Sequence, residues 1–218
     1  MRDNDPRRRQ ARTAERKLAR AKASREGLPV FLVICEGTET EPNYLRGLCE
    51  SRRINVANVR IATSGSKTSP LALVKKAHAS FVKNNDYDRV FVVLDDDGLP
   101  FEDARILAQR KLRNASGDRI HVEMIVSRPA FEFWLLLHFE YLTRPFATAA
   151  EVIADLRAHL TNYTKSERLI FQQVETGLDQ ALENAQRLKR ELAASGTTNP
   201  NTDVHLLVSR LLSIARTR

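Results

Sequence analysis

Arg89-Val90-Phe91-Val92-Val93-Leu94-Asp95-Asp96-Asp97-Gly98 is the stretch on which the reading of this chain turns. Five apolar residues in a row, four of them β-favouring, run into three carboxylates and a glycine. An apolar run without alternation predicts a strand buried on both faces, as in a parallel sheet covered by helices. The aspartates then fall at the C-terminal end of the strand, where ligands bind in open α/β sheets. Asp95 and Asp97, two apart, point the same way if the extended geometry continues. Two such carboxylates repel each other, and a divalent cation relieves the repulsion. Mg²⁺ prefers oxygen ligands and is usually held by one or two carboxylates plus substrate phosphates. The plainer reading of the same residues is a solvated acidic turn, with Asp95 or Asp96 capping the next helix.

Towards the N-terminus, Leu28–Cys35 is a second buried-strand pattern, and it runs directly into Glu36-Gly37-Thr38-Glu39-Thr40-Glu41-Pro42. Glu36 is the counterpart of Asp95, a carboxylate at the lip of a strand. Gly37 permits a tight turn or a close backbone approach to a ligand. Thr40 or Glu41 can cap the following helix, which extends to about Arg53, and Pro42 suits its first turn. Val56–Thr63 is a weaker strand. The loop Thr63–Pro70 resembles a phosphate-binding loop in composition only and lacks the spacing of an ATP-binding P-loop. Lys67 and the backbone amides there can still touch phosphate. Pro70–Lys83 has helical spacing.

Towards the C-terminus, Pro100–Asn114 reads as a basic amphipathic helix, Asn114–Asp118 as a turn and Ile120–Val126 as a fourth strand. Strand-helix repeated three times and closed by a strand predicts a four-stranded, mainly parallel sheet with right-handed crossovers. From Phe131 to Phe139 the chain is apolar on every side except Glu132 and His138, which predicts a buried helix. Glu132 starts near the same lip as the other acids, although an acid in a first turn also suits the helix dipole. His138 reads as a packed, hydrogen-bonded histidine. Tyr141–Arg218 is helical in pattern, over about Ala149–Leu160, Glu175–Ala194 and Thr202–Ala215. It is expected to pack as an elaboration on a core of residues 28–140. Asn162-Tyr163-Thr164-Lys165 is a loop or cap carrying a base and an aromatic.

The length, 218 residues, suits one large domain or one domain with an elaboration. The net charge of +8 favours an anionic partner. Residues 1–27 hold ten Lys/Arg against four Asp/Glu, a net of +6, so the body of the chain is nearly balanced. This arm has almost no large apolar residues and is expected to be disordered or loosely helical. Its basic side chains, Arg7, Arg8 and Arg9 among them, point to nucleic acid or an acidic partner. Cys35 and Cys49 have no metal-site spacing, and no disulfide framework is implied. No apolar run reaches the length of a membrane span, and the N-terminus lacks a signal-peptide core. A cytoplasmic protein is expected.

Glu36-Gly37 after one strand and Asp95-x-Asp97 after a later one resemble the Toprim signature of topoisomerases, primases and the nucleases of bacterial antiphage systems. More closely, the chain is similar to the RloB family, named for genes linked to bacterial restriction loci. The matching pieces are Ile34–Tyr44, the strand end Asp95-Asp96-Asp97, the block Ser127–Phe139 and Asn199-Pro200-Asn201-Thr202. They cover roughly residues 28–218. The resemblance implies a Toprim-like α/β core, a divalent metal (Mg²⁺ or Mn²⁺) and phosphodiester chemistry. In Toprim enzymes the glutamate after the first strand acts in acid–base work and the later aspartates hold Mg²⁺. Carried onto this chain, these are Glu36, Asp95 and Asp97, with Glu132 as a further metal-site candidate. Asp96 departs from the usual small residue between the two aspartates and leaves the ligand pair open.

The reading implied is a metal-dependent nuclease acting on DNA or RNA in antiphage defence. Its nucleic-acid contacts are expected from Arg7, Arg8, Arg9, Lys67 and Lys165, and a partner defence protein is a further expectation. The alternative is a non-catalytic nucleic-acid or protein-binding module that keeps the Toprim-like fold. A strand-passing enzyme is a third class, but it needs a nucleophilic tyrosine and extra domains, and no tyrosine here is a supported candidate.

Overall fold

Side chains on the two main strands alternate between two apolar clusters, and that alternation places everything else. The computed structural model describes residues 28–65, 68–98 and 100–216. The strands β1 (Phe31–Cys35), β2 (Val59–Thr63), β3 (Arg89–Asp95) and β6 (Val122–Arg128) run parallel in the order β2-β1-β3-β6. One face of this sheet presents Phe31, Val33, Cys35, Phe91, Val93 and Ile125. The other presents Leu32, Ile34, Val90, Val92, Leu94 and Val122. All five residues of β1 are buried, as a strand covered on both faces requires.

The first crossover helix, α1 (Thr40–Ser51), packs on the first face through Tyr44, Leu45 and Leu48. The next two, α2 (Pro70–Lys83) and α3 (Glu102–Ala108), pack on the second through Leu73, Val74, Phe81, Ala104 and Ala108. Strand β2 lies on one side of β1 and β3 on the other. The chains leaving β1 and β3 therefore diverge to opposite faces, which opens a crevice between their C-terminal ends.

The expected α/β class with a mainly parallel sheet is what forms, with four differences of detail. The basic helix foreseen over Pro100–Asn114 stops at Ala108, and a short antiparallel hairpin follows, β4 (Leu112–Arg113) and β5 (Arg119–Ile120). Its turn is closed by the Asn114 side chain, whose Oδ1 accepts the Asp118 amide proton at 2.8 Å, and by Gly117 at φ 90°. This turn chemistry overrides helical propensity. The buried segment after β6 is regular only over α4 (Glu132–Leu136) and goes on to Phe139 in tighter turns. Phe133, Trp134, Leu135, Leu136 and Leu137 have no exposure at all.

The third difference is a fifth strand. The C-terminal part carries α5 (Ala149–His159), α6 (Ile170–Val174), a 3₁₀ turn (Glu175–Gly177), α7 (Leu178–Ser195) and α8 (Val204–Arg216). Between α7 and α8, where the helical pattern breaks, β7 (Asn201–Thr202) joins the sheet antiparallel to β6. The Ser127 and Thr202 hydroxyls stand 2.9 Å apart across this pair. The C-terminal helices share the apolar cluster of α1. Helix α6, not foreseen, lies so close to α1 that a Cβ on Gly47 would sit 2.7 Å from that of Phe171. Among the described residues no helix is long and apolar enough to cross a membrane.

Trp134 sits at the centre of this cluster with edge contacts to Tyr44 and His138. Replacing it with alanine should cost about 3–5 kcal/mol, the range for a large buried aromatic. Urea unfolding checks this, and a loss below about 1 kcal/mol, the range of surface positions, would contradict the core assignment.

Candidate functional site

The β1–β3 register decides where the acids meet. Cys35 pairs with Val93, and the Glu36 amide donates to the Val93 carbonyl at 2.9 Å. Glu36 and Asp95 thus leave the sheet on the same edge, one strand apart. The Glu36 side chain turns onto β3, where its Oε2 accepts the Asp95 amide proton at 3.3 Å. Asp95 in turn accepts the Phe131 amide proton at 2.8 Å, which fixes its carboxylate against the chain that enters α4.

These residues open onto a cavity of about 530 Å³ at the C-terminal lip of the sheet. Glu36, Glu41, Asp95, Asp97 and Glu132 all line it, and Lys165 faces them. The structure therefore gathers the four expected acids, Glu36, Asp95, Asp97 and Glu132, with the expected base Lys165. Asp96 turns away and pairs with Arg128, whose Nε lies 2.8 Å from its Oδ2. That leaves Asp95 and Asp97 as the cavity's aspartates. Arg7, Arg8, Arg9 and Lys67 lie outside the described residues. A larger cavity, of about 740 Å³, sits at the other end of the sheet beside Val30, Val59 and Tyr87. It gathers no comparable set of acids.

Glu41 is the site residue that sequence reasoning missed. An acid at the start of a helix reads as a partner for the helix dipole. Here it folds back, and its Oε1 accepts the Gly37 amide proton at 3.1 Å. The approach is so close that a Cβ on Gly37 would lie 2.2 Å from Glu41 Oε2. Gly37 is thus required for a close contact, but with a side chain of the protein itself. No spacing rule in the sequence signals it.

Glu132 is almost fully buried. Its Oε1 accepts from the Tyr163 hydroxyl at 3.0 Å and pairs with Lys165 Nζ at 3.2 Å. Both partners come from the loop between α5 and α6, in the C-terminal part of the chain. Tyr163 and Lys165 are in turn held to α1, since Thr40 Oγ1 donates to the Lys165 carbonyl at 3.0 Å. The His138 imidazole, by contrast, serves packing. It bonds to the Trp134 carbonyl at 3.0 Å and the Tyr44 hydroxyl at 3.1 Å, and burial lowers its pKa to about 4.

The electrostatics of the cavity follow from crowding. Burial first, then the charges of Glu41, Glu132 and Glu36, push the Asp95 carboxyl well above its usual range, against a smaller opposing pull from Lys165. Burial likewise raises Glu41, although hydrogen bonds from its own backbone and the Gly37 amide oppose it. Burial tends to lower Lys165, but Glu132, and after it Asp95 and Glu41, outweigh that and raise it. Accumulated oxygen charge is the donor chemistry of a Mg²⁺ or Mn²⁺ site. As the side chains stand, no three Asp, Glu, His or Cys groups among the described residues close on one point.

The profile of the RloB-like protein family matches residues 31–211. The chain belongs to the RloB-like family. No curated protein and no solved structure matches it. The RloB-like match runs from the first residue of β1 into α8 and takes in every acid of the cavity together with Tyr163 and Lys165.

The raised Asp95 carboxyl fixes a pH dependence. A carboxyl whose folded pKa lies above its unfolded value stabilises the fold below the unfolded pKa, and that stability is lost as pH rises through the folded pKa. Asp95→Asn keeps an acceptor for the Phe131 amide and removes the charge. In chelator, the variant should therefore gain stability over wild type as pH rises from about 4, the ordinary Asp range, towards neutrality. Urea midpoints at both ends of that range check this, and a constant difference would contradict it.

Proposed function

We propose that this protein is a divalent-metal-dependent nuclease that hydrolyses phosphodiester bonds in DNA or RNA, in bacterial antiphage defence. The observation that carries the reading is the meeting of Glu36, Asp95, Asp97, Glu41 and Glu132 at one lip of a parallel sheet. That lip is also the point where the strand order reverses. Gathering like charges there costs stability, and a cation offsets the cost. Asp95 and Asp97 would hold the ion, with Glu132 and Glu41 behind them. When bound, the ion supplies a Lewis acid for a phosphate oxygen and charge for the developing oxyanion.

The remaining chemistry falls to the chain itself. Glu36, oriented by the Asp95 amide, takes the proton from an attacking water. The new bond forms between the water oxygen and phosphorus, the bond to the leaving oxygen breaks, and solvent protonates that oxygen. Lys165 and the basic residues Arg7, Arg8, Arg9 and Lys67 contact the nucleic-acid phosphates. Mg²⁺ or Mn²⁺, a nucleic acid, a partner defence protein and a cytoplasmic location belong to this reading.

A second reading is a non-catalytic nucleic-acid or protein-binding module. It is favoured by Lys165, which already stands on Glu132 and neutralises part of the cavity without any metal. Incubating the protein with DNA, total RNA and tRNA in Mg²⁺ or Mn²⁺ separates the two. Metal-dependent cleavage should appear and should be abolished by Glu36→Gln and by the Asp95→Asn, Asp97→Asn double variant. Absence of cleavage on all three substrates would leave the binding module. The melting temperature should also rise with millimolar metal, because an ion held only by the folded state stabilises it.

The basic arm gives a separate expectation. If residues 1–27 supply phosphate contacts, deleting them should weaken nucleic-acid binding and flatten its dependence on salt, because fewer counterions are released. Binding measured from about 50 to 200 mM salt checks this, and an unchanged slope would remove the arm from the interface.

A further inference from the structure

Lys165 has a fixed backbone and a largely exposed side chain. Thr40 Oγ1 holds its carbonyl at 3.0 Å, and Asn43 Nδ2 donates to the Glu167 carbonyl two residues on, at 3.3 Å. On the other side, the Arg157 guanidinium donates to the Tyr163 carbonyl at 3.4 Å. The loop is thus pinned before and after residue 165. The lysine side chain itself is 58% exposed, yet its Nζ reaches Glu132, whose side chain is 2% exposed. Tyr163 and Lys165 together serve Glu132 Oε1, so the buried acid has a partner whether or not the ammonium stays.

We propose that Lys165 is a tethered counter-ion of the acid cavity, which holds the place of a divalent cation and is displaced from Glu132 when one binds. The inference rests on the metal reading above and adds how the cavity is kept in its absence. Lysine suits the task because its ammonium is a compact charge on a flexible stem. The pinned loop keeps it within reach, and its exposed path lets it swing to solvent without unfolding anything. The hydroxyl of Tyr163 stays behind on Glu132 in both states. The pair also explains why acids can crowd this lip as the structure stands: the C-terminal part of the chain brings the neutralising charge with it.

The test uses the full chain as wild type, Lys165→Met, Lys165→Arg and Lys165→Met with Glu132→Gln. In chelator, Lys165→Met should melt about 2–4 °C lower. Lys165→Arg should melt close to wild type, and the double variant should recover most of the loss, because it no longer buries an unpaired charge. Calorimetry with Mn²⁺ should then show Lys165→Met binding roughly tenfold more tightly than wild type, since no resident cation has to leave. Mn²⁺ binding to wild type but no more tightly to Lys165→Met overturns the exchange and leaves the metal reading intact. A Lys165→Met melt equal to wild type in chelator overturns the counter-ion role. If Mn²⁺ binds neither protein, the metal reading itself fails, and a lowered melt then makes Lys165 a structural ion pair.

Discussion

The pairing of β1 with β3 is the constraint on which the rest of the structure depends. Both strands are apolar on both faces, so each must be covered twice, and the parallel register sends both chains out of the sheet at one edge. Strand order then divides the helices that follow them between the two faces. The crevice this opens is made of backbone and cannot be closed by repacking side chains. Glu36 and Asp95 stand at its mouth because each is the first polar residue after, or the last residue of, a buried strand.

Charge is the price of that arrangement. Four of the acids around the cavity each have a different partner: the Asp95 amide for Glu36, the Gly37 amide for Glu41, the Phe131 amide for Asp95, and Tyr163 with Lys165 for Glu132. Three of these are backbone donors, one at the end of β3 and two in the turns that follow β1 and β6. The exception is Glu132, whose partners both arrive from beyond residue 160. The helical C-terminal part therefore completes the cavity electrically as well as covering a face of the sheet.

The main strands were legible in the sequence because burial on both faces forces an unbroken apolar run, here rich in β-branched residues, whereas the equally apolar Phe133–Leu136 lacks them and is helical. The lip acids were legible for a related reason, since a carboxylate directly after such a run has few places to go. What escaped the reading depends on contacts distant in sequence. β7 is two residues long and exists only because β6 offers it an edge. The end of α3 at Ala108 is decided by the Asn114 turn that comes after it. Glu41 was hidden because an acid in a first helical turn already has an ordinary explanation. The place of Lys165 opposite Glu132 joins residues 33 apart through the fold of the α5–α6 loop, and no periodicity encodes that.

The short strand β7 also sets a schedule for the growing chain. Its pairing joins Ser127 to Thr202 and Arg128 to Asn201. During synthesis the outer edge of β6 stays open until those residues have left the ribosome, by which time most of α1 to α7 has long been made. An open strand edge is a template for pairing with another chain. Non-local closure of this kind is also slow, because the entropy of the loop is lost before any contact rewards it. The vulnerable interval in the life of this protein is therefore the one between translation of β6 and translation of β7, when the three parallel strands before β6 have been made and its outer edge has no cover.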